Sequence, residues 1–205
     1  MGEDGSHVGF ALKRRAGGGD YAHPHLQRDD VCQGRLAQSR GTGQKDVVQW
    51  FTNSGPPRSA VCHGYVQNAR ECEVPDVFCA VFEYPNLMAT WTLNYCSSYE
   101  HDWSIQFQGE KAAMLLDRRG YRLYKDPGES PAPWGQIAKQ ELIGEEPDRD
   151  QPEAHPQNFL DCIRSRQQPN CTVEIAAAAV AGPHMANLAM LREKKIKLAP
   201  DGTAA

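Results

Sequence analysis

Polar side chains that could bind a ligand occur at two places in the sequence. The loop "SSYEHDW" carries Tyr99 and His101, and the segment "HPQNFLDCIRSRQQP" carries His155 and Asn158. Phenol, imidazole and amide groups can donate and accept hydrogen bonds with a polar ligand. We therefore predict substrate contacts from these four residues. The alternative is a solvated turn in the first segment and a capping or surface histidine in the second.

The cysteines show no metal-binding or redox pattern. There are seven, an odd number, and no two of them form a C-x-x-C pair. We interpret them as reduced, small apolar side chains in a cytoplasmic protein. A zinc site that combines His63 with Cys62 and Cys72 is the alternative, although zinc ligands normally come as spaced pairs. We assign no metal ligand.

Composition narrows the classes of partner. The chain has 205 residues and a formal net charge of −4, so it has no general attraction for nucleic acid or for an anionic membrane. No apolar run approaches the roughly 20 residues that span a bilayer. The first 30 residues contain no apolar stretch like that of a signal peptide. We predict a cytoplasmic protein without nucleic-acid or membrane partners.

Regular structure is predicted from Asp46 onward. Residues 1–40 mix glycines and charges without a sustained period, so we predict a poorly organised segment there and a single domain over 41–205. The stretch "DVVQWFTN" has the spacing of a helix, after which the period changes to two. Strands are predicted at 58–67, 75–84, 87–96, 103–109, 112–117, 121–125 and 137–143, with a last short one in "IKLAP".

The order of these elements predicts an α+β fold. Short connections between consecutive strands indicate antiparallel pairing, and the helices follow the strands. We expect an open, mainly antiparallel sheet of about six to eight strands with two or three helices packed on one face. Phe159, Cys162 and Ile163 are expected to lie on that face. Thr172 is a plausible N-cap for the last helix, which Pro183 should kink or split.

Three longer stretches resemble one known family. They are "PDVFCAVFEYPNLMATWTLNY", "IQFQGEKAAMLLDRRGYRLY" and "HPQNFLDCIRSRQQPNCTVEIAAAAVAGPHMANLA". From about Asp46 onward the chain is similar to the C-terminal domain of the Gfo/Idh/MocA oxidoreductases. The resemblance implies the sheet described above, with helices on one face and the oligomer contact on the other. Complete members bind NAD or NADP on a separate Rossmann domain and act on a sugar, a polyol or a derivative.

The sequence departs from the family where the chemistry would lie. No G-x-G-x-x-G follows a strand, and no Glu-Lys-Pro segment occurs. Gly43 and Ser39 stand where the family has the histidine and the carboxylate that assist proton transfer, and neither can act as a general acid or base at neutral pH. The family's aspartate is kept as Asp46, for which we expect a mainly structural role.

These departures lead to a functional prediction. We expect a substrate-side and oligomerisation domain of an NAD(P)-dependent oxidoreductase, truncated or divergent, which binds no cofactor itself and cannot catalyse alone. No catalytic, cofactor-binding or metal-binding residue is assigned. The predicted partners are a second copy, through the free sheet face, and in complete members a small carbohydrate-like substrate. The alternative is a non-enzymatic binding or assembly module that self-associates through the sheet.

Overall fold

The fold was established from a computed structural model of the chain. It describes the residues that carry the sheet and the helices around it, namely 8–15, 46–68, 75–94, 103–126, 140–148, 153–199 and 202–204. These residues form one open sheet with helices on one side, which confirms the predicted α+β class.

The strands and helices alternate little along the chain. The nine strands of the described residues are β1 (Val8–Arg15), β2 (Ser59–Tyr65), β3 (Val77–Glu83), β4 (Leu87–Asn94), β5 (Ser104–Gln108), β6 (Ala112–Asp117), β7 (Gly120–Lys125), β8 (Glu141–Pro147) and β9 (Ile196–Lys197). The helices are α1 (46–52), α2 (Ala154–Ser165) and α3 (Val173–Arg192).

The sheet has the order β8-β7-β6-β5-β1-β4-β3-β2-β9. All neighbouring pairs are antiparallel except β1 with β4. Consecutive strands pair on both sides of β1, and the pairs β3–β4, β5–β6 and β6–β7 are joined by short turns, as the short connections predict. The strand β1 therefore joins two antiparallel halves into one sheet.

One face of the sheet, the covered face, carries the core. Its central side chains come from β2, β3 and β4, where the register places Cys62 opposite Ala80 and Ala80 opposite Trp91. These side chains, together with Phe82, are buried. Alternation along each strand places large apolar groups on this face, because successive side chains point to opposite sides. The helices α1 and α3 cover it.

Small residues let α3 lie close to the sheet. The helix contacts β2, β3 and β9, and Ala179, Met185, Ala186 and Ala189 are among its buried residues. It runs without interruption through Pro183, so the predicted split does not occur. A Cβ atom on the preceding Gly182 would already touch the ring of Phe82 at 3.5 Å. Tight packing against the core thus holds the turn that the proline would otherwise break.

The opposite face, the open face, consists in β2–β4 of Ser59, Val61, His63, Tyr65, Val77, Cys79, Val81, Glu83, Met88, Thr90, Thr92 and Asn94. Tyr65 and Met88 are more than half exposed, and Cys79 is exposed. Apart from His63 and Glu83, these side chains cannot carry a charge at neutral pH, and the Glu83 carboxylate is paired with Lys195 at 2.8 Å. A sheet face of this composition is unusual in contact with water.

Two strands differ from the sequence-based expectations. Residues 8–15, predicted to be poorly organised, form β1 at the centre of the sheet. The strand predicted at 137–143 instead runs as Glu141–Pro147, into a stretch expected to be a loop. In the observed register, Glu145 lies opposite Arg122 on β7. The carboxylates of this edge strand face solvent or a cation, so they are compatible with strand pairing.

The helix α2 packs differently from the prediction. None of its residues is buried, and Phe159 and Ile163 are 59% and 48% exposed. The expectation that these side chains and Cys162 lie on the sheet was therefore wrong. Helical periodicity identifies an apolar side of a helix, but it does not identify the surface which that side contacts. Here α3 occupies the place over β2 and β3.

Candidate functional site

A cleft of about 830 Å³ lies where α1, the start of α2 and the start of α3 meet. This volume falls within the range of pockets that hold small ligands. Its walls are formed by Asp46, Gln49, Trp50, Asn53, Ser54, Gly55, His155, Asn170, Cys171, Glu174, Ile175 and Ala178.

The helix α1 supplies one wall with a single helical face. Asp46, Gln49, Trp50 and Asn53 follow the spacing i, i+3, i+4 and i+7, which places them on the same side of a helix. Val48, between them, is fully buried in the core and anchors the helix. The Trp50 side chain is 77% exposed, so its indole ring is available to a ligand in the cleft.

A buried amide connects this wall to the opposite one. Gln49 is 7% exposed, and its Nε2 donates a hydrogen bond to the Ala178 main-chain oxygen at 2.9 Å. The run of alanines from 176 to 179 leaves room for this approach. Burial raises the pKa of the nearby Tyr84 hydroxyl to about 12. The phenol is therefore neutral at physiological pH.

The N-terminus of α3 supplies the second wall. Thr172 is the N-cap, as predicted, and its side chain accepts a hydrogen bond from the Ile175 main-chain N–H at 3.4 Å. A side-chain hydrogen bond with Thr172 lowers the pKa of Glu174 below its usual range. Glu174 is thus ionised at neutral pH, in the first turn, where a carboxylate suits the helix dipole.

Two predicted substrate-binding residues can be placed relative to this cleft. His155 is exposed and lies in its wall, whereas Asn158 does not line it. The Asn158 side-chain oxygen instead accepts a hydrogen bond from the Asn170 main-chain N–H at 3.0 Å. Asn158 thereby holds the loop between α2 and α3 against α2. A direct contact between either residue and a substrate remains a prediction.

Other predicted features fall outside the described residues. Tyr99 and His101 do so, as do Gly43 and Ser39. So does Cys72, one of the cysteines of the alternative zinc site. In the described part of the chain, no three His, Cys, Asp or Glu side chains come together in a way that could hold a metal ion. Within the same part, no helix is long and apolar enough to cross a membrane.

Most of the cleft was not predicted from the sequence. Gln49, Trp50 and Asn53 were predicted only as parts of a helix, and neither Asn170 nor Glu174 was assigned to a site. One sequence pattern could have indicated the cleft. Polar and aromatic residues recur every three or four positions in α1, so they share one face of that helix. Nothing in the sequence indicated that this face would lie opposite the first turns of α3.

Fold and cleft together define a class of protein: an open antiparallel sheet with one helix-covered face and a ligand-sized cleft among the helices. No family model matches the chain, and no curated protein matches it. Solved structures do. One is the UDP-N-acetylglucosamine 3-dehydrogenase GnnA from Acidithiobacillus ferrooxidans, with a TM-score of 0.60 and 13% identity over 90% of this chain and 53% of that one.

Two further matches have similar statistics. The WlbA dehydrogenase from Bordetella pertussis, solved with NADH and UDP-GlcNAcA, has a TM-score of 0.59 and 12% identity over 96% of this chain and 55% of its own. The aldose-aldose oxidoreductase from Caulobacter crescentus, solved with glycerol, has a TM-score of 0.62 and 13% identity over 95% of this chain and 56% of its own.

These structures are oxidoreductases of the Gfo/Idh/MocA type. At 12–13% identity, the likeness establishes a shared fold. The fold implied by the sequence resemblance is thus confirmed. The chain spans about half the length of the solved structures it matches.

Proposed function

We propose that this chain is the substrate-side domain of an NAD(P)-dependent oxidoreductase acting on a sugar, a polyol or a derivative. In this proposal the cleft between α1 and α3 holds the substrate. The chain by itself does not catalyse the reaction, because Gly43 and Ser39 replace the residues that would move the proton. NAD or NADP would be bound by a separate domain or subunit.

The observation that carries the proposal is the position of His155. Sequence analysis selected this residue for substrate binding, and it lies in the wall of a ligand-sized cleft. The fold around that cleft is shared with oxidoreductases whose names refer to sugars. Gln49, Asn53 and Asn170 add uncharged hydrogen-bonding groups suited to hydroxyls. A cytoplasmic location is supported by the unpaired state of Cys62, Cys79, Cys162 and Cys171.

Replacement of His155 tests the proposed site. Binding of D-glucose, D-galactose and myo-inositol is followed by NMR titration of the full chain. Losing one hydrogen bond of about 1 kcal/mol should weaken binding by about 5-fold in His155→Ala. The matched control is His184→Ala, because His184 is also an exposed helical histidine and does not line the cleft. Equal effects of the two substitutions would contradict the assignment.

A second candidate function is self-association through the open face. It is favoured by the low charge of the open-face residues defined above, among which the Glu83 carboxylate is already paired with Lys195 at 2.8 Å. A surface whose one carboxylate is paired can pack against a second copy of itself with little like-charge repulsion. The face would then be the oligomer contact that the family resemblance implies.

Charge placed on the open face tests this second function. Met88→Lys introduces an ammonium group at a position that is 54% exposed, and sedimentation should then show a shift toward monomer. Leu191→Lys is the control, because Leu191 is 74% exposed on α3, on the other side of the sheet. A wild-type chain that remains monomeric at about 100 µM, above the micromolar dissociation constants of many specific complexes, would contradict self-association.

A further inference from the structure

We propose that the cleft between α1 and α3 selects unphosphorylated sugars or polyols and rejects phosphorylated and nucleotide-linked sugars. This inference rests on the proposed function and adds the chemical class of the substrate. It differs from the sugar nucleotides that appear in the names of GnnA and of the WlbA complex.

The charges that line the cleft are mainly negative, which disfavours a phosphate group. Asp46 and Glu174 both line it, and its described walls contain no lysine or arginine. His155 is the one side chain of those walls that can carry a positive charge. Sites that bind phosphate usually offer a guanidinium or ammonium group, or free main-chain N–H groups. A phosphate in this cleft would face two carboxylates with at most one cation to offset them.

The N-terminus of α3 already interacts with two side chains of the protein itself, Thr172 and Glu174. An unshielded helix N-terminus attracts anions. Here Thr172 accepts the hydrogen bond of the Ile175 N–H, and the ionised Glu174 stands in the first turn. The partial positive charge of the helix end is therefore offset by a carboxylate of the protein itself. An incoming phosphate would have to compete with that carboxylate.

The wall formed by α1 offers neutral polar groups and an aromatic ring to a ligand. Gln49, nine-tenths buried, and the exposed side chains around it offer neutral donors and acceptors. The exposed ring of Trp50 offers an apolar surface on which the C–H side of a sugar ring can lie. Together these groups match a ligand with many hydroxyls and no negative charge. An ammonium group on the ligand would gain from the two carboxylates and from the indole ring.

A panel of probes tests the selectivity on the full chain. D-glucose, myo-inositol, D-glucosamine, D-glucose 6-phosphate and UDP-glucose are titrated at low salt, and the Trp50 indole N–H signal is followed by NMR. We expect saturable shifts with the first three, the strongest binding with D-glucosamine, and at least 10-fold weaker binding of the two phosphate compounds. Added NaCl should reduce this difference, since salt screens exposed charges.

Glu174→Gln identifies the cause of the rejection. This variant should bind D-glucose 6-phosphate several-fold better than wild type, with D-glucose affinity nearly unchanged. Glu145→Gln is the control, because Glu145 is an exposed carboxylate on β8, outside the cleft. Tighter binding of D-glucose 6-phosphate than of D-glucose at Trp50 would overturn the selectivity and leave the sugar-binding function standing. A Trp50 signal that responds to none of the five probes would overturn the proposed function as well.

Discussion

The side chain of Gln49 and the main chain of Ala178 are joined by a hydrogen bond of 2.9 Å, 129 residues apart in sequence. This bond links α1 to α3 beside the cleft. Val48, the residue before Gln49, anchors the same helix in the core. Trp50, the residue after Gln49, faces the cleft and solvent. One turn of α1 thus connects the packing of the domain to its candidate site.

Removing this link should destabilise the fold. Gln49→Ala loses a part-buried hydrogen bond and is expected to lower the free energy of unfolding by about 1–2 kcal/mol. Gln157→Ala is the matched control, because the Gln157 amide bonds Asp161 on the exposed surface of α2. Its effect should stay below about 0.5 kcal/mol. Urea unfolding curves measure both, and equal losses would contradict the role of Gln49.

The N-cap of α3 is expected to stabilise the second wall of the cleft. Thr172→Ala removes the acceptor for the Ile175 N–H and should cost about 1 kcal/mol. Thr172→Ser keeps the hydroxyl and should cost less than half as much. Hydrogen exchange of the first turn of α3 provides a local measurement. Unchanged exchange rates in Thr172→Ala would show that the cap does not hold this turn.

Asp117 makes the stability of the sheet depend on pH. Burial of this carboxyl raises its pKa, but hydrogen bonds from Arg119 and Arg122 outweigh that effect and lower it from 3.8 to about 2. The stabilisation is therefore complete above about pH 4 and is lost as the pH falls toward 2. Asp117→Asn should be less stable at pH 7 by about 1 kcal/mol, because Arg119 is exposed and solvent screens part of the interaction.

The test is the unfolding free energy of wild type and Asp117→Asn between pH 7 and pH 2.5. We expect the difference between the two proteins to shrink steadily below about pH 4, where the wild-type carboxylate begins to lose its advantage. A difference that stays constant over this range would mean that the two arginines do not stabilise the folded state through the carboxylate charge.

Gly120 is required at the turn between β6 and β7. Its φ of +121° is unfavourable for residues with a side chain, and a Cβ atom there would collide with the Glu146 main-chain oxygen. Gly120→Ala should therefore cost more than about 2 kcal/mol. Gly144→Ala is the control on the adjacent strand, where the new Cβ would meet Leu123 at an ordinary 3.9 Å. Thermal unfolding distinguishes them, and similar midpoints would contradict the strain argument.

Much of the sheet could be predicted from the sequence because its central strands β3 and β4 alternate between buried and more exposed residues. Phe78, Ala80 and Phe82 are all buried, and the residues between them are not. The strand β1 was missed for two physical reasons. It ends in three cations, Lys13, Arg14 and Arg15, and is followed by a glycine run, so its local signal is weak. Its parallel pairing with β4 joins residues about 80 positions apart, which no local pattern encodes.

The candidate site was less predictable than the fold. His155 could be selected because it begins the helix, on the edge that the family resemblance places toward the first domain. Asn158 was selected because it lies on the more polar side of that helix, but its side-chain oxygen accepts a hydrogen bond from the Asn170 main-chain N–H. Trp50 was missed because an aromatic residue on a helix usually belongs to the core. Which helices meet at a cleft depends on tertiary packing, which the sequence pattern does not specify.

The most direct test of the central claim is a pair of NMR titrations of the full chain, one with D-glucosamine and one with NADH. The proposed function predicts that D-glucosamine shifts the Trp50 indole signal and the Gln49 side-chain amide signals saturably, and that NADH shifts neither. Saturable NADH binding to this chain would contradict it. So would D-glucosamine shifts that appear only on the open face of the sheet.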